Sequence, residues 1–121
     1  MWLYYLLKTM SAIISHLPYK LVVNIGVVLG HLYWRIAKKQ RIRAEETMRE
    51  RLGISAAEAR ENIKGLFVKT GITFLEILYM PALNKENIRG LVAMDRPEII
   101  WEALAERKGV VILACHMDNW E

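Results

Sequence analysis

The sequence predicts an α/β chain in which N-terminal helices that associate with a membrane lead into the start of an α/β domain. Three observations carry this expectation. The first part of the chain holds two apolar runs with basic residues after them. The middle shows apolar residues at helical spacing behind a capping signal. The end carries Val110-Val111-Ile112-Leu113-Ala114-Cys115, a continuous apolar, largely β-branched run of the kind found in buried parallel strands.

The leader comprises residues 1–43. It contains Lys8, Lys20, Arg35, Lys38, Lys39, Arg41 and Arg43 and no acidic residue, a charge of +7. Residues 44–121, read as the N-terminal part of the α/β domain, carry a net −3, which leaves +4 overall. A basic, apolar leader on a mildly acidic body suits an anionic membrane surface and argues against a nucleic-acid module, whose Lys and Arg spread over a folded face. The composition agrees. It is 54% hydrophobic, with four Trp and five Tyr against two Phe, and Trp and Tyr favour the boundary between oil and water. Trp2, Tyr4, Tyr5 and Trp34 are expected to be interface anchors, and His16 and His31 interfacial polar residues.

The leader is not a signal peptide, because Met1–Leu7 is apolar from the start and the positive charge follows it. Its longest uncharged stretches are Thr9–Tyr19 and Leu21–Trp34, shorter than the roughly 20 residues of a simple span. Pro18 and Lys20 divide them. Two short helices lying in one leaflet, or a single tilted span with Lys20 snorkelling, both remain open. Either way the Arg35–Arg43 cluster belongs on the cytoplasmic side.

Residues 21–52 read as helix, ended by Gly53. Ser55-Ala56-Ala57-Glu58 is a capping box, and the helix it opens has apolar residues at 59, 63, 66, 67, 74, 77 and 78 until Pro81 stops it. Glu76 is isolated in an apolar stretch. It faces a substrate groove, is solvated near the helix end, or pairs with a lysine. Ile88–Met94 is expected to be a strand. Asp95 would then cap a helix running to Arg107, with Pro97 and Glu98 in its first turn and Ile100, Trp101 and Leu104 on its inner face; Gly109 would end it. With the strand 110–115 this makes a βαβ unit. The length allows one domain, and the last strand runs out before its partners, so the chain is expected to be an N-terminal fragment, inactive and partly ordered by itself. The lone Cys115 excludes a disulfide framework and a thiolate zinc site within the chain.

After the apolar run comes His116-Met117-Asp118-Asn119-Trp120-Glu121. Active groups collect where strands end in open α/β sheets. Asn119 would cap a following helix, and Glu121 would fold back onto the His116 imidazole. A lone histidine at such a place is usually structural, and a metal held by His116 with Asp118 or Glu121 lacks an evident third ligand. The flanking string decides between these readings. An apolar strand ending in His-x4-Glu resembles the glycerolipid acyltransferase superfamily. Gly109-Val110-Val111-Ile112 followed by His116 and Asn119-Trp120-Glu121 resembles the bacterial lipid A biosynthesis (lauroyl/myristoyl) late acyltransferases. Asp118 departs from that family, where glycine is usual.

The resemblance implies an acyltransferase of the bacterial inner membrane, facing the cytoplasm. Acyl carrier protein would be the donor, an anionic lipid A precursor the acceptor, and no metal or organic cofactor would be required. His116 would be the general base and Glu121 its partner, stabilising the imidazolium as the acid of a catalytic triad does. No Ser or Thr adjoins the motif, so transfer would be direct. Strand alternation would turn Cys115 away from His116, and backbone N–H groups after the motif would face the oxyanion. An acyltransferase with another glycolipid or a lysophospholipid as acceptor is one alternative. A non-catalytic, membrane-surface helical protein is another.

Overall fold

A computed structural model describes residues 1–111. They form two compact units, Met1–Ala82 and residues 83–111. The α/β expectation is corrected: the described residues are helical, with no strand among them. In order the helices are α1 (Trp2–Ile14), α2 (Tyr19–Ile36), α3 (Lys38–Leu52), α4 (Ala56–Tyr79), α5 (Ile88–Leu91) and α6 (Glu98–Ala105), with a 3₁₀ turn at Met80–Ala82 after α4.

The first unit is built on α4. Its N-terminus is set locally, by the Ser55 hydroxyl accepting from the Glu58 N–H at 3.2 Å, and it gives way to the 3₁₀ turn where Pro81 stands. Helix α2 runs antiparallel to it. Val22 lies with Leu75 and Leu78, Gly26 lies over Gly71 and Ile72, Gly30 over Phe67 and Val68, and Ala37 packs with Ile63 and Phe67. Numbers rise along one helix as they fall along the other. The crossing is made by glycine. A Cβ on Gly26 would stand 2.7 Å from the Cα of Ile72, one on Gly30 would stand 2.5 Å from the Cα of Val68, and one on Gly71 would strike the Gly26 carbonyl. Small residues let helix backbones meet at this range.

Apolar clusters flank the crossing. In one, Leu7, Met10, Ile14 and Leu17 close over Val22, Leu75 and Leu78, and the Ser11 hydroxyl ties α1 to α4 by donating to the Leu78 carbonyl at 2.7 Å. In the other, Trp34, Ala44 and Met48 cover Ala37, Ile63 and Phe67.

The continuous helix expected over 21–52 is broken at Ala37 (φ −80°, ψ 49°). Its N–H still closes α2 on the Tyr33 carbonyl, and its carbonyl opens α3 by accepting from the Arg41 N–H. An unbroken helix would reach about 50 Å, against about 36 Å for α4. The break lets α3 turn back, so that both halves pack on one helix. Gly53, at φ 65°, then ends α3 in the left-handed conformation glycine adopts cheaply.

In the second unit, the strand expected over Ile88–Met94 is a helical turn followed by an extended Val92 (φ −117°, ψ 118°). The local cause is a reciprocal cap. Asn84 Oδ1 accepts from the Asn87 N–H at 2.9 Å, and Asn87 Oδ1 accepts from the Asn84 N–H at 2.8 Å. This is the capping-box geometry that starts helices. Val110 and Val111 form no strand either; residues 112–115 of that expected strand lie outside the described residues. Helix α6 is shorter than the expected Asp95–Arg107, and Arg107 itself takes a left-handed φ of 56°. Trp101, expected on an inner face, is 68% exposed.

Candidate functional site

The residues on which the chemistry was expected to rest, His116 and Glu121, together with Cys115, Asp118 and Asn119, lie outside the described residues. The described part of the chain places the other candidates.

Glu76 is half-buried near the end of α4, where its Oε1 accepts from the Tyr19 hydroxyl at 2.5 Å. Tyr19 also packs against Tyr79, ring centroids 5.7 Å apart. The hydrogen bond to Glu76, then desolvation, then the nearby carboxylate charge push the Tyr19 phenol up to about 12. Tyr19 is therefore a fixed, neutral donor at any physiological pH. Of the roles the sequence left open for Glu76, this geometry adds one it did not contain, a carboxylate held by a tyrosine 57 positions away.

Trp34, expected as an interface anchor, is half-buried at the α2–α3 joint. The Arg41 guanidinium lies 4.4 Å from its ring centroid and that of Arg60 lies 5.5 Å away. Arg41 Nη1 also donates to the Trp34 carbonyl at 3.3 Å, so one side chain clamps both strokes of the bend. Glu45 Oε1 is 3.7 Å from Arg41 Nε, an ion pair too long to be a hydrogen bond. The basic segment is thus partly structural: Arg41 is committed to the joint, while Arg35, Lys38, Lys39 and Arg43 are exposed.

Trp2, Tyr4 and Tyr5 are exposed at the start of α1, 60% or more of each surface being open. Tyr4 and Tyr5 meet edge to face at 5.3 Å, and Lys8 Nζ lies 5.8 Å from the Tyr4 ring. His16 Nδ1–H donates to the Ala12 carbonyl at 2.6 Å, and His31 is exposed on α2. No described helix is long and apolar enough to cross a membrane. Between α2 and α4 runs a groove of about 510 Å³ in which Leu29, Leu32, Tyr33 and Ile36 face Thr70, Gly71 and Phe74.

Sequence reasoning missed two devices in this unit. The Gly26-x3-Gly30 spacing was visible and would have marked the helix crossing. The Tyr19–Glu76 pair had no local signal.

No curated protein and no solved structure matches the chain. The family model described as bacterial lipid A biosynthesis acyltransferase matches residues 1–121, the whole of it. That match agrees with the Asn119-Trp120-Glu121 string and the basic leader, and the chain belongs to the bacterial lipid A biosynthesis acyltransferase family.

Proposed function

We propose that this protein moves a fatty acyl chain from acyl carrier protein to a hydroxyl of a lipid A precursor at the cytoplasmic face of the bacterial inner membrane. The observation that carries this reading is the family match over residues 1–121, within which His116 and Glu121 stand five residues apart in the Asn-Trp-Glu context.

The acceptor hydroxyl oxygen attacks the thioester carbonyl carbon while its proton passes to the neutral imidazole of His116, a base suited to pH 7. Glu121 accepts a hydrogen bond from the other ring nitrogen and balances the imidazolium charge. Collapse expels the carrier's thiolate, which recovers the proton from His116. The oxygen–carbon bond gained replaces the sulfur–carbon bond lost, and no acyl-enzyme is required. The exposed Arg35, Lys38, Lys39 and Arg43 supply positive potential for donor and acceptor, both negatively charged. The +7 leader with its open aromatic residues attaches the protein to the membrane that holds the acceptor.

The test is radiolabelled acyl transfer by the protein as its gene encodes it, in detergent, with wild type and His116→Ala at equal protein content. A fall of roughly 10²–10⁴-fold is expected for loss of a general base. Near-wild-type transfer by His116→Ala would overturn the catalytic assignment.

A further inference from the structure

Helix α2 has three faces. One, through Gly26 and Gly30, is consumed by α4. A second carries Leu21, Ile25, Val28, Leu29, Leu32 and Ile36, at steps of three and four; these side chains are 36–71% exposed. The third carries Lys20, Asn24, His31 and Arg35, again on one side at helical spacing, and all four are exposed. The apolar face does not stop at the helix edge, because Leu29, Leu32 and Ile36 line the groove that continues onto Phe74 of α4, itself 44% exposed. A monomer that leaves such a surface open to water marks it for contact with something apolar.

The direction of the stripes decides what kind of contact. In a helix that crosses a bilayer, polar residues collect at the two ends, because the middle lies in hydrocarbon. In α2 the polar residues Lys20, Asn24, His31 and Arg35 share one side beside the apolar stripe, with Val27 and Val28 between the two pairs, and Asn24 and His31 stand well inside the 18-residue helix, not at its ends. That is the pattern of a helix parallel to a surface, with one side wet and the other in oil. Both formal charges of the stripe are positive, and residues 1–43 contain no acid, so the surface that fits is anionic.

We infer that α2 lies in the plane of one anionic lipid leaflet, with Leu21, Ile25, Val28, Leu32 and Ile36 among the acyl chains and Lys20, Asn24, His31 and Arg35 at headgroup level. This rests on the membrane attachment proposed above and adds its orientation. It makes the α2–α4 pair a platform seated in one leaflet, with the groove at Phe74 opening toward the lipid.

The test is a depth scan. Single substitutions Leu21→Cys, Asn24→Cys, Ile25→Cys, Val28→Cys, His31→Cys, Leu32→Cys and Ile36→Cys, in the full chain with Cys115→Ser, are spin-labelled. Each is bound to vesicles of equal parts phosphatidylethanolamine and phosphatidylglycerol, and depth is read from collisions with oxygen and with a water-soluble nickel chelate. An in-plane α2 gives depths that oscillate with a period of about 3.6 residues, within roughly the 10 Å width of a helix. Labels at 21, 25, 28, 32 and 36 are deep together, and those at 24 and 31 are shallow. A depth that changes steadily by about 1.5 Å per residue along the helix means a crossing α2 and overturns the orientation alone. Labels shielded from both reagents, with spin–spin broadening, mean that a second copy covers the face, and also overturn it. Failure of every variant and of the unlabelled chain to float with these vesicles overturns membrane attachment itself. As an independent variant, Val28→Asp is expected to weaken flotation by roughly tenfold or more, whereas Glu61→Gln, on the exposed side of α4, leaves it unchanged.

Discussion

The Tyr19 hydroxyl donates to Glu76 at 2.5 Å and so joins the first residue of α2 to the last turn of α4. The two ends of an antiparallel helix pair are held there by a polar contact beside the Val22–Leu75–Leu78 cluster.

This contact predicts a pH dependence. The folded state keeps Tyr19 protonated to about 12, against an ordinary 10. Between those values the folded protein binds more protons than the unfolded one, so its contribution to stability is complete below pH 10 and is lost as pH rises from 10 to 12. Tyr19→Phe should cost roughly 1 kcal/mol at neutral pH and flatten that alkaline decline. Urea denaturation at pH 8 and at pH 11, wild type against variant, measures both; an unchanged slope would show that Tyr19 does not carry it.

The glycine crossing predicts opposite signs for one substitution at two places. Gly30→Ala pushes a methyl into the backbone of α4 at Val68 and should destabilise by about 1–3 kcal/mol, since backbone cannot move aside as a side chain does. Gly65→Ala, in the same α4 but facing open space, should stabilise by about 0.5–1 kcal/mol. Thermal unfolding of the two variants side by side checks the pair of signs.

At the N-terminus of α4, Ser55→Ala removes the acceptor for the Glu58 N–H and should cost about 1 kcal/mol. Ser55→Asp should restore most of it, because a carboxylate accepts the same bond and meets the positive end of the helix dipole. Loss of stability in both variants would assign the effect to something other than the cap.

The bend at Ala37 depends on Arg41, which stacks on Trp34 and donates to its carbonyl. Arg41→Lys keeps the charge but not the planar guanidinium, and should cost about 0.5–1 kcal/mol. Lys39→Ala, on an exposed side chain of the same helix, should be neutral within about 0.5 kcal/mol. An Arg41→Lys variant as stable as the wild type would mean that charge alone, not stacking, holds the joint.

If His116 and Glu121 act as a unit, their losses do not add. Glu121→Gln should lower acyl transfer, and the double variant should be little worse than His116→Ala alone. Multiplying losses, read from the same transfer assay, would separate the two roles. Asp118→Gly, which restores the residue usual in the family, should be tolerated.

What the sequence by itself determined was whatever a few neighbouring residues decide. Ser55 and Glu58 start α4, Pro81 marks its end and Gly53 ends α3, because caps and breakers act through bonds to the nearest turn of backbone. Family membership was legible for a related reason: the His116–Glu121 string is contiguous and needs no partner to be read. Tertiary structure decided the rest. Val92, Val110 and Val111 have strand-like composition, yet a strand exists only through a ladder with another, and among the described residues no other is formed. The Asn84–Asn87 cap then takes Ile88–Leu91 into a helical turn. Helix 21–52 breaks at Ala37, so that α2 meets α4 through Val22, Gly26 and Gly30 while Ala44 and Met48 of α3 cover Ile63 and Phe67, contacts that local propensity does not contain. Glu76 found Tyr19, and Gly26 found Gly71, across more than forty residues of chain, where only the packing of α2 against α4 brings the partners within reach.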